Sequence, residues 1–326
     1  MTDQELFEKL FGLTTGSGQP NFAKVAERLR SLPAFSINTK LFGHELAEKY
    51  YPCERKPTKM SRFIPKWGAS IYDDFCEQWF FDTCAELNIN PILHRKVWEE
   101  VYVVNTLRPH LKAGSKGIVF GVGEERLPSY FASKGCQILA TDLNPNDENS
   151  KGWSATEQLG SLDKIYKPDL IDKASFDRLV QFEYADMNNI GEHLHGQFDF
   201  VWTVCAFEHL GSIEKGLQFI ENTGKLLKKG GISVHTTEFN YSKEETIDNW
   251  GTVLFRKSDF EALRGRLSQY KLPLVDYSVG KNPVDSFIDM PPYAWHEGHN
   301  ESLNFCHLKL MVDGFPSTCF GLSFEV

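Results

Sequence analysis

Ile118-Val119-Phe120-Gly121-Val122-Gly123-Glu124-Glu125 is the stretch that decides the fold. Its apolar residues read as the end of a buried strand. Glycines at 121 and 123 let the chain turn tightly and let a ligand approach the main chain. Leu127 to Lys134 then reads as a helix, and Gln137 to Asp142 as a second strand. Asp142 follows Gly121 by 21 residues. A carboxylate at that strand end can accept two hydrogen bonds from a ribose diol.

The same alternation continues outward. Phe182 to Ala185 is a third strand, Phe198 to Cys205 a fourth, with a helix over 212–227, and Gly231 to Thr237 a fifth, before a helix over 258–267. His307 to Val312 and Cys319 to Phe324, around Asp-Gly-Phe-Pro, read as an antiparallel pair. Alternation of this kind predicts an α/β fold with a doubly wound, mostly parallel sheet. Ahead of it, residues 3–11, 71–87 and 91–108 read as helices and 31–70 as irregular chain. The expected division is a helical N-terminal segment over 1–112 that contributes to an acceptor pocket, then a cofactor-binding domain over 113–326. Residues 271–304 form a lid-like insertion in that domain.

The 326-residue chain carries 35 Lys and Arg against 44 Asp and Glu, a formal charge of −9. That balance argues against nucleic-acid binding, which needs clustered cations. No apolar run is long enough to span a membrane and the start lacks a secretory pattern. Seven cysteines without a CxxC fit a reducing cytoplasm rather than a disulfide framework.

The cofactor follows from charge. A dinucleotide sets its pyrophosphate on the helix start. Glu124 and Glu125 occupy that corner and would repel it, unless they point to water, as acids at helix starts often do. S-adenosylmethionine brings no phosphate, but an ammonium and a sulfonium, and suits an acidic glycine loop. Tyr184-Ala185-Asp186-Met187 places an acid after the third strand, where it can accept the adenine amino group. Phe198 to Leu210 runs from a buried strand into a loop that should face the cofactor.

These residues, with Leu226-Leu227-Lys228-Lys229-Gly230-Gly231, resemble the class I S-adenosylmethionine-dependent methyltransferases over roughly 114–242. The resemblance implies a seven-stranded sheet with an antiparallel last strand. It makes Gly121, Val122 and Gly123 the cofactor loop, Asp142 with Leu143 the ribose contact, and Asp186 and Met187 adenine neighbours. Cys205, Ala206 and Phe207 become the wall near methionine. Two positions depart from the pattern: Val119 stands where an acid is common, and Glu125 replaces a third glycine. The wording around Gly121 and Ala140-Thr141-Asp142-Leu143 is also similar to a bacterial subset linked to surface-sugar modification.

Methyl transfer to oxygen requires in-line alignment and a base for the acceptor proton. His209, directly after the fourth strand, is the first candidate base, with loop structuring through the backbone as its alternative. Glu238, past the fifth strand, can orient a hydroxyl, act as base or hold a metal with Glu208. No metal is assigned. His235 reads as a satisfied core histidine. His296-Glu297-Gly298-His299 has loose metal-ligand spacing on what reads as a loop. Arg55, Lys56, Lys59 and Arg62 offer a phosphate site or a solvated loop; Trp153, which with Gln158 sits in the insertion after the second strand, can cover adenine or pack an inserted helix. The expected reaction is methyl transfer from S-adenosylmethionine to a small molecule, a hydroxyl of a sugar or of a nucleotide-linked or polymeric sugar. The competing readings are a nicotinamide-dependent oxidoreductase and a non-enzymatic cofactor-binding protein.

Overall fold

The computed structural model describes residues 55–146, 160–242, 245–290 and 306–326. Residues 55–288 and 307–326 belong to one compact unit; of a second, residues 289, 290 and 306 are described. The strands are β1 (Trp67–Ala69), β2 (Lys116–Val119), β3 (Gln137–Asp142), β4 (Val180–Tyr184), β5 (Phe198–Val204), β6 (Leu227–Asn240), β7 (Val275–Asp276), β8 (Ile288–Asp289), β9 (Lys309–Val312) and β10 (Phe315–Glu325). The helices are α1 (Gln78–Glu86), α2 (Arg95–Leu107), α3 (Leu127–Ser133), α4 (Leu162–Ile165), α5 (Lys173–Leu179), α6 (Ile213–Leu226) and α7 (Lys257–Arg266).

Eight strands lie on one path, β4-β3-β2-β5-β6-β10-β1-β7. From β4 to β6 all neighbours are parallel. β10 runs antiparallel to β6, from Ser317 opposite Asn240 to Glu325 opposite Ile232. This is a Rossmann-like sheet whose order reverses between β2 and β5, and ligands in such sheets bind at the strand C-termini beside that reversal. β9 joins β10 through Asp313 and Gly314, both at positive φ, the turn that two-residue hairpins favour.

Two strands of the sheet path, β1 and β7, are missed by the sequence reading. Residues 67–69, expected as irregular chain, form β1, antiparallel to β10 and parallel to β7. Three residues after a proline-rich stretch carry too little pattern to signal a strand. What holds them is tertiary: Trp67 is fully buried, donates from its indole to the Ser323 carbonyl at 2.6 Å, and lies under the Arg264 guanidinium. Residues 67–69 are therefore part of the sheet. Of the segment 271–304, residues 275–276 form the edge strand β7 and 291–305 lie outside the described residues.

Helices cover both faces. On one, α2 packs against β6 and β10. It starts at His94, whose ring accepts the Lys96 N–H at 3.1 Å, and it buries Trp98, Val101 and Tyr102. On the other, α6 is capped by Ser212. There Phe219 meets His235, and Thr223 shares a 2.8 Å hydrogen bond with Ser233. Alternation along β6 thus turns Ser233 and His235 toward α6, and Thr236 and Glu238 toward the residues of α2.

Candidate active site

The C-terminal ends of β2, β3 and β5 meet at the glycine turn. Gly121 and Gly123 have φ of +61° and +51°, a region that costs other residues energy. A Cβ on Gly121 would stand 2.9 Å from the Ala206 Cβ and 3.8 Å from the Met187 sulfur. Three of the expected cofactor residues, from three strand ends, are thus in one place. Val122 donates to the Thr141 carbonyl at 3.1 Å, which ties the turn to β3.

Asp142, the last residue of β3, is nearly buried. Its Oδ2 accepts the N–H groups of Gly123 (3.0 Å) and Gly160 (2.8 Å), and its Oδ1 accepts that of Leu143 (2.8 Å). A carboxylate offers about four lone-pair sites, so three are committed and one, on Oδ1, can take a ribose hydroxyl. The two-hydroxyl grip expected from sequence would require the Gly160 segment to shift.

The glycine corner is less acidic than its sequence. Glu124 pairs with Lys164 at 2.9 Å. Glu125 does not point to water: its Oε1 accepts the Trp202 indole N–H at 3.1 Å. Burial, then the Glu100 carboxylate, hold its carboxyl well above the usual range. Repulsion of a pyrophosphate is therefore weaker than the two letters suggest. Past β4, Asp186 closes a turn, its carboxylate and carbonyl accepting the N–H groups of Asn188 and Asn189. The Phe207 ring is buried against Phe255 and His235.

Beside this edge lies a cluster of buried charge from β5, β6, β10 and α2. Glu238 is 6% exposed and accepts a hydrogen bond from Arg95. Arg95 also donates to the Cys319 sulfur at 3.2 Å, and Cys319 donates to Glu99. Glu99 further accepts from the Thr236 hydroxyl at 2.6 Å and lies 3.3 Å from the Lys96 ammonium. Burial pushes the Glu99 carboxyl up, but Lys96 and Arg95 outweigh it and hold the group below its ordinary range. Glu208, 1% exposed, accepts from Thr237 at 3.0 Å; burial raises its pKa, with Glu238 adding to the rise. Cys205 enters with φ +45°, a strained conformation held by its N–H bond to the Thr236 carbonyl at 3.0 Å.

His209 stands next to Glu208, and its Nδ1 lies 3.1 Å from both the Gly251 carbonyl and the Thr252 hydroxyl. A carbonyl only accepts, so Nδ1 carries the hydrogen and Nε2 the lone pair. That is the tautomer a general base needs, and the contact is also the backbone anchor expected for a loop histidine. His235 is the core histidine expected: Thr203 and Ser233 hold its two nitrogens, and burial pushes its pKa to about 3.

Arg95, Lys96, Glu99 and Cys319 were not foreseen. Their partners lie far along the chain, 143 residues in the case of Arg95 and Glu238. One signal was available: Arg95, Glu99 and Tyr102 share a face of α2 that is otherwise apolar. Of the basic stretch, Arg55 donates to the carbonyls of Pro91 and Phe75, and Lys59 pairs with Asp73 at 2.9 Å, so both serve the fold. Trp153, Gln158, His296, Glu297 and His299 lie outside the described residues.

The strand-end glycines, the acid on β3 and the two buried carboxylates, Glu208 and Glu238, thus lie at or beside the C-terminal ends of the parallel strands. By comparison, residues 118–235 match the family model of a methyltransferase domain. Over that stretch, about a third of the chain, the sequence is similar to methyltransferase domains. Among solved structures, one described as the [4+2]-cyclase SpnF is 15% identical, with a TM-score of 0.39 over 52% of this chain; this chain spans 57% of it. A S-adenosylmethionine-dependent methyltransferase from Mesorhizobium loti is 14% identical, covering 70% of this chain and 98% of its own, with a TM-score of 0.40. One from Aquifex aeolicus is 12% identical, covering 68% and 87%, with a TM-score of 0.36. No curated protein matches the sequence.

Proposed function

We propose that the chain transfers the methyl group of S-adenosylmethionine to a hydroxyl of a sugar or sugar-like small molecule, free, nucleotide-linked or polymeric, in the cytoplasm. The observation that carries this reading is the pair of buried carboxylates, Glu208 and Glu238, beside the strand ends where Gly121, Ala206 and Met187 converge. Paired carboxylate oxygens are acceptors for hydroxyl groups, as carbohydrate recognition demands. Among the described residues no helix is long and apolar enough to cross a membrane.

In this reading Gly121, Val122 and Gly123 present main chain to the cofactor's methionine end, with Cys205, Ala206 and the backbone of Phe207 as its wall. Asp142 and Leu143 take the ribose, and Asp186 and Met187 the adenine. The cofactor supplies an electrophilic methyl on a sulfonium, which leaves as a neutral thioether and so asks no anion stabilisation of the protein. Glu208 and Glu238 orient the acceptor hydroxyl, and His209 receives its proton at Nε2. Residues 55–112 contribute through Arg95, which pairs with Glu238, and Lys96, which with Arg95 holds Glu99 below its ordinary range.

The test is incubation with S-adenosylmethionine and a panel of sugars and nucleotide sugars, read by mass spectrometry. A sugar product with one added methyl, alongside demethylated cofactor, is the expected result. Turnover confined to amine or protein acceptors, or no cofactor binding at millimolar concentration, would overturn the reading.

A further inference from the structure

We propose that Cys205, Glu208 and Glu238 are the protein ligands of a divalent-cation site that binds the acceptor hydroxyl. The proposal deepens the methyl-transfer reading above and rests on it. The Cys205 sulfur and one carboxylate oxygen from each glutamate lie within 4.8 Å of one another. The three come from the end of β5, the short turn after it and β6, so rigid elements set their spacing.

A second observation points to a ligand. Glu208 and Glu238 are 1% and 6% exposed, yet Glu208 Oε1 and Glu238 Oε2 are buried without a hydrogen-bond partner. Their other oxygens are satisfied by Thr237 and Arg95. Leaving such oxygens bare is costly, and native proteins rarely do it. The local charge agrees: three carboxylates, Glu99, Glu208 and Glu238, face two cations, Arg95 and Lys96. Glu99, Cys205 and Cys319 also converge. Glu99, however, has its oxygens engaged by Cys319, Thr236 and Lys96, and that group has no orphaned acceptor.

One thiolate with two carboxylates suits Zn²⁺ better than the all-oxygen sites of Mg²⁺ or Ca²⁺. Three protein ligands leave one tetrahedral position open, as in sites that act on a substrate. A hydroxyl oxygen in that position has its pKa lowered. Its O–H bond breaks and the proton passes to His209. The oxygen then bonds the methyl carbon as the C–S bond breaks and its electron pair stays on sulfur.

The test titrates the full chain, free of S-adenosylmethionine, with Zn²⁺ and with Co²⁺ as a spectroscopic stand-in. One equivalent of Zn²⁺ is expected, with affinity at least about tenfold weaker in Cys205→Ser and in Glu208→Gln. In the unaltered chain Co²⁺ should give a thiolate-to-metal charge-transfer band that Cys205→Ser removes. No stoichiometric binding, absence of that band, or a band surviving in Cys205→Ser would overturn the proposal. S-adenosylmethionine binding is measured separately on chelator-treated protein. Loss of the cation site with cofactor binding intact rejects this inference alone, whereas loss of cofactor binding rejects the reading beneath it.

Discussion

Arg95, on a helix that ends before the first parallel strand begins, donates to Glu238 near the end of β6. Both side chains are about nine-tenths buried. Removing one partner of such a pair leaves an uncompensated charge inside the protein, which costs about 3–5 kcal/mol. Arg95→Met is expected to lower stability by about that much. The double variant Arg95→Met with Glu238→Gln should recover most of the loss, because it buries no charge. Urea denaturation of the four proteins of this cycle measures it; equal losses in the single and double variants would show that Arg95 acts by packing alone.

Gly121→Ala tests the cofactor edge. The left-handed backbone costs alanine about 1 kcal/mol, and the new methyl group would meet Ala206 at 2.9 Å. The fold should survive with a modest drop in melting temperature. Affinity for S-adenosylmethionine should fall more than about tenfold, since 1.4 kcal/mol is already that much. Calorimetry reads both; unchanged affinity would remove this turn from the binding site.

His209→Gln separates chemistry from binding. Loss of a general base lowers turnover about 10²–10⁴-fold. The dissociation constant of S-adenosylmethionine should stay close to that of the unaltered protein. A raised KM with turnover intact would assign His209 to the loop alone.

Glu100 makes stability fall with rising pH. Burial raises its carboxyl from 4.5 to about 7. The groups around it are Glu99, Glu125, Arg126 and Lys167; the Arg126 N–H donates to it at 3.4 Å. Between those two values the folded chain keeps a proton that the unfolded chain has released, so stability declines across that window and levels off above it. The full effect is on the order of 3 kcal/mol. Glu100→Gln should therefore gain stability over the unaltered protein at pH 8 but not at pH 4. Denaturation curves at the two values check this, and a pH-independent difference would refute it.

The parallel half of the sheet was legible because its signals are local. The glycine turn at 121–123, Asp142 and the apolar run from Phe198 each announce a strand end within a few residues. β1 and β7 were not legible. Trp67 and Val275 become strand residues only because β10 lies ready to pair with the first and the first with the second. The site divides in the same way. Gly121, Asp142, Glu208 and Glu238 follow from strand order, whereas Arg95 and Cys319 reach the cluster through contacts spanning most of the chain. Burial also settles one alternative: Glu125 does not point to water, because its contact with Trp202 turns it inward.

β1 pairs with β7 and β10, both far ahead of it in the chain, and its Trp67–Ser323 contact spans 256 positions. During ribosomal synthesis Trp67 and its neighbours therefore emerge long before either partner and stay apolar and unpaired until those strands appear. Topologies dominated by such distant pairings fold slowly and expose sticky intermediates. The closing of this sheet is thus a late, all-or-none event, and a nascent chain halted before β10 would be prime cargo for chaperones and proteases.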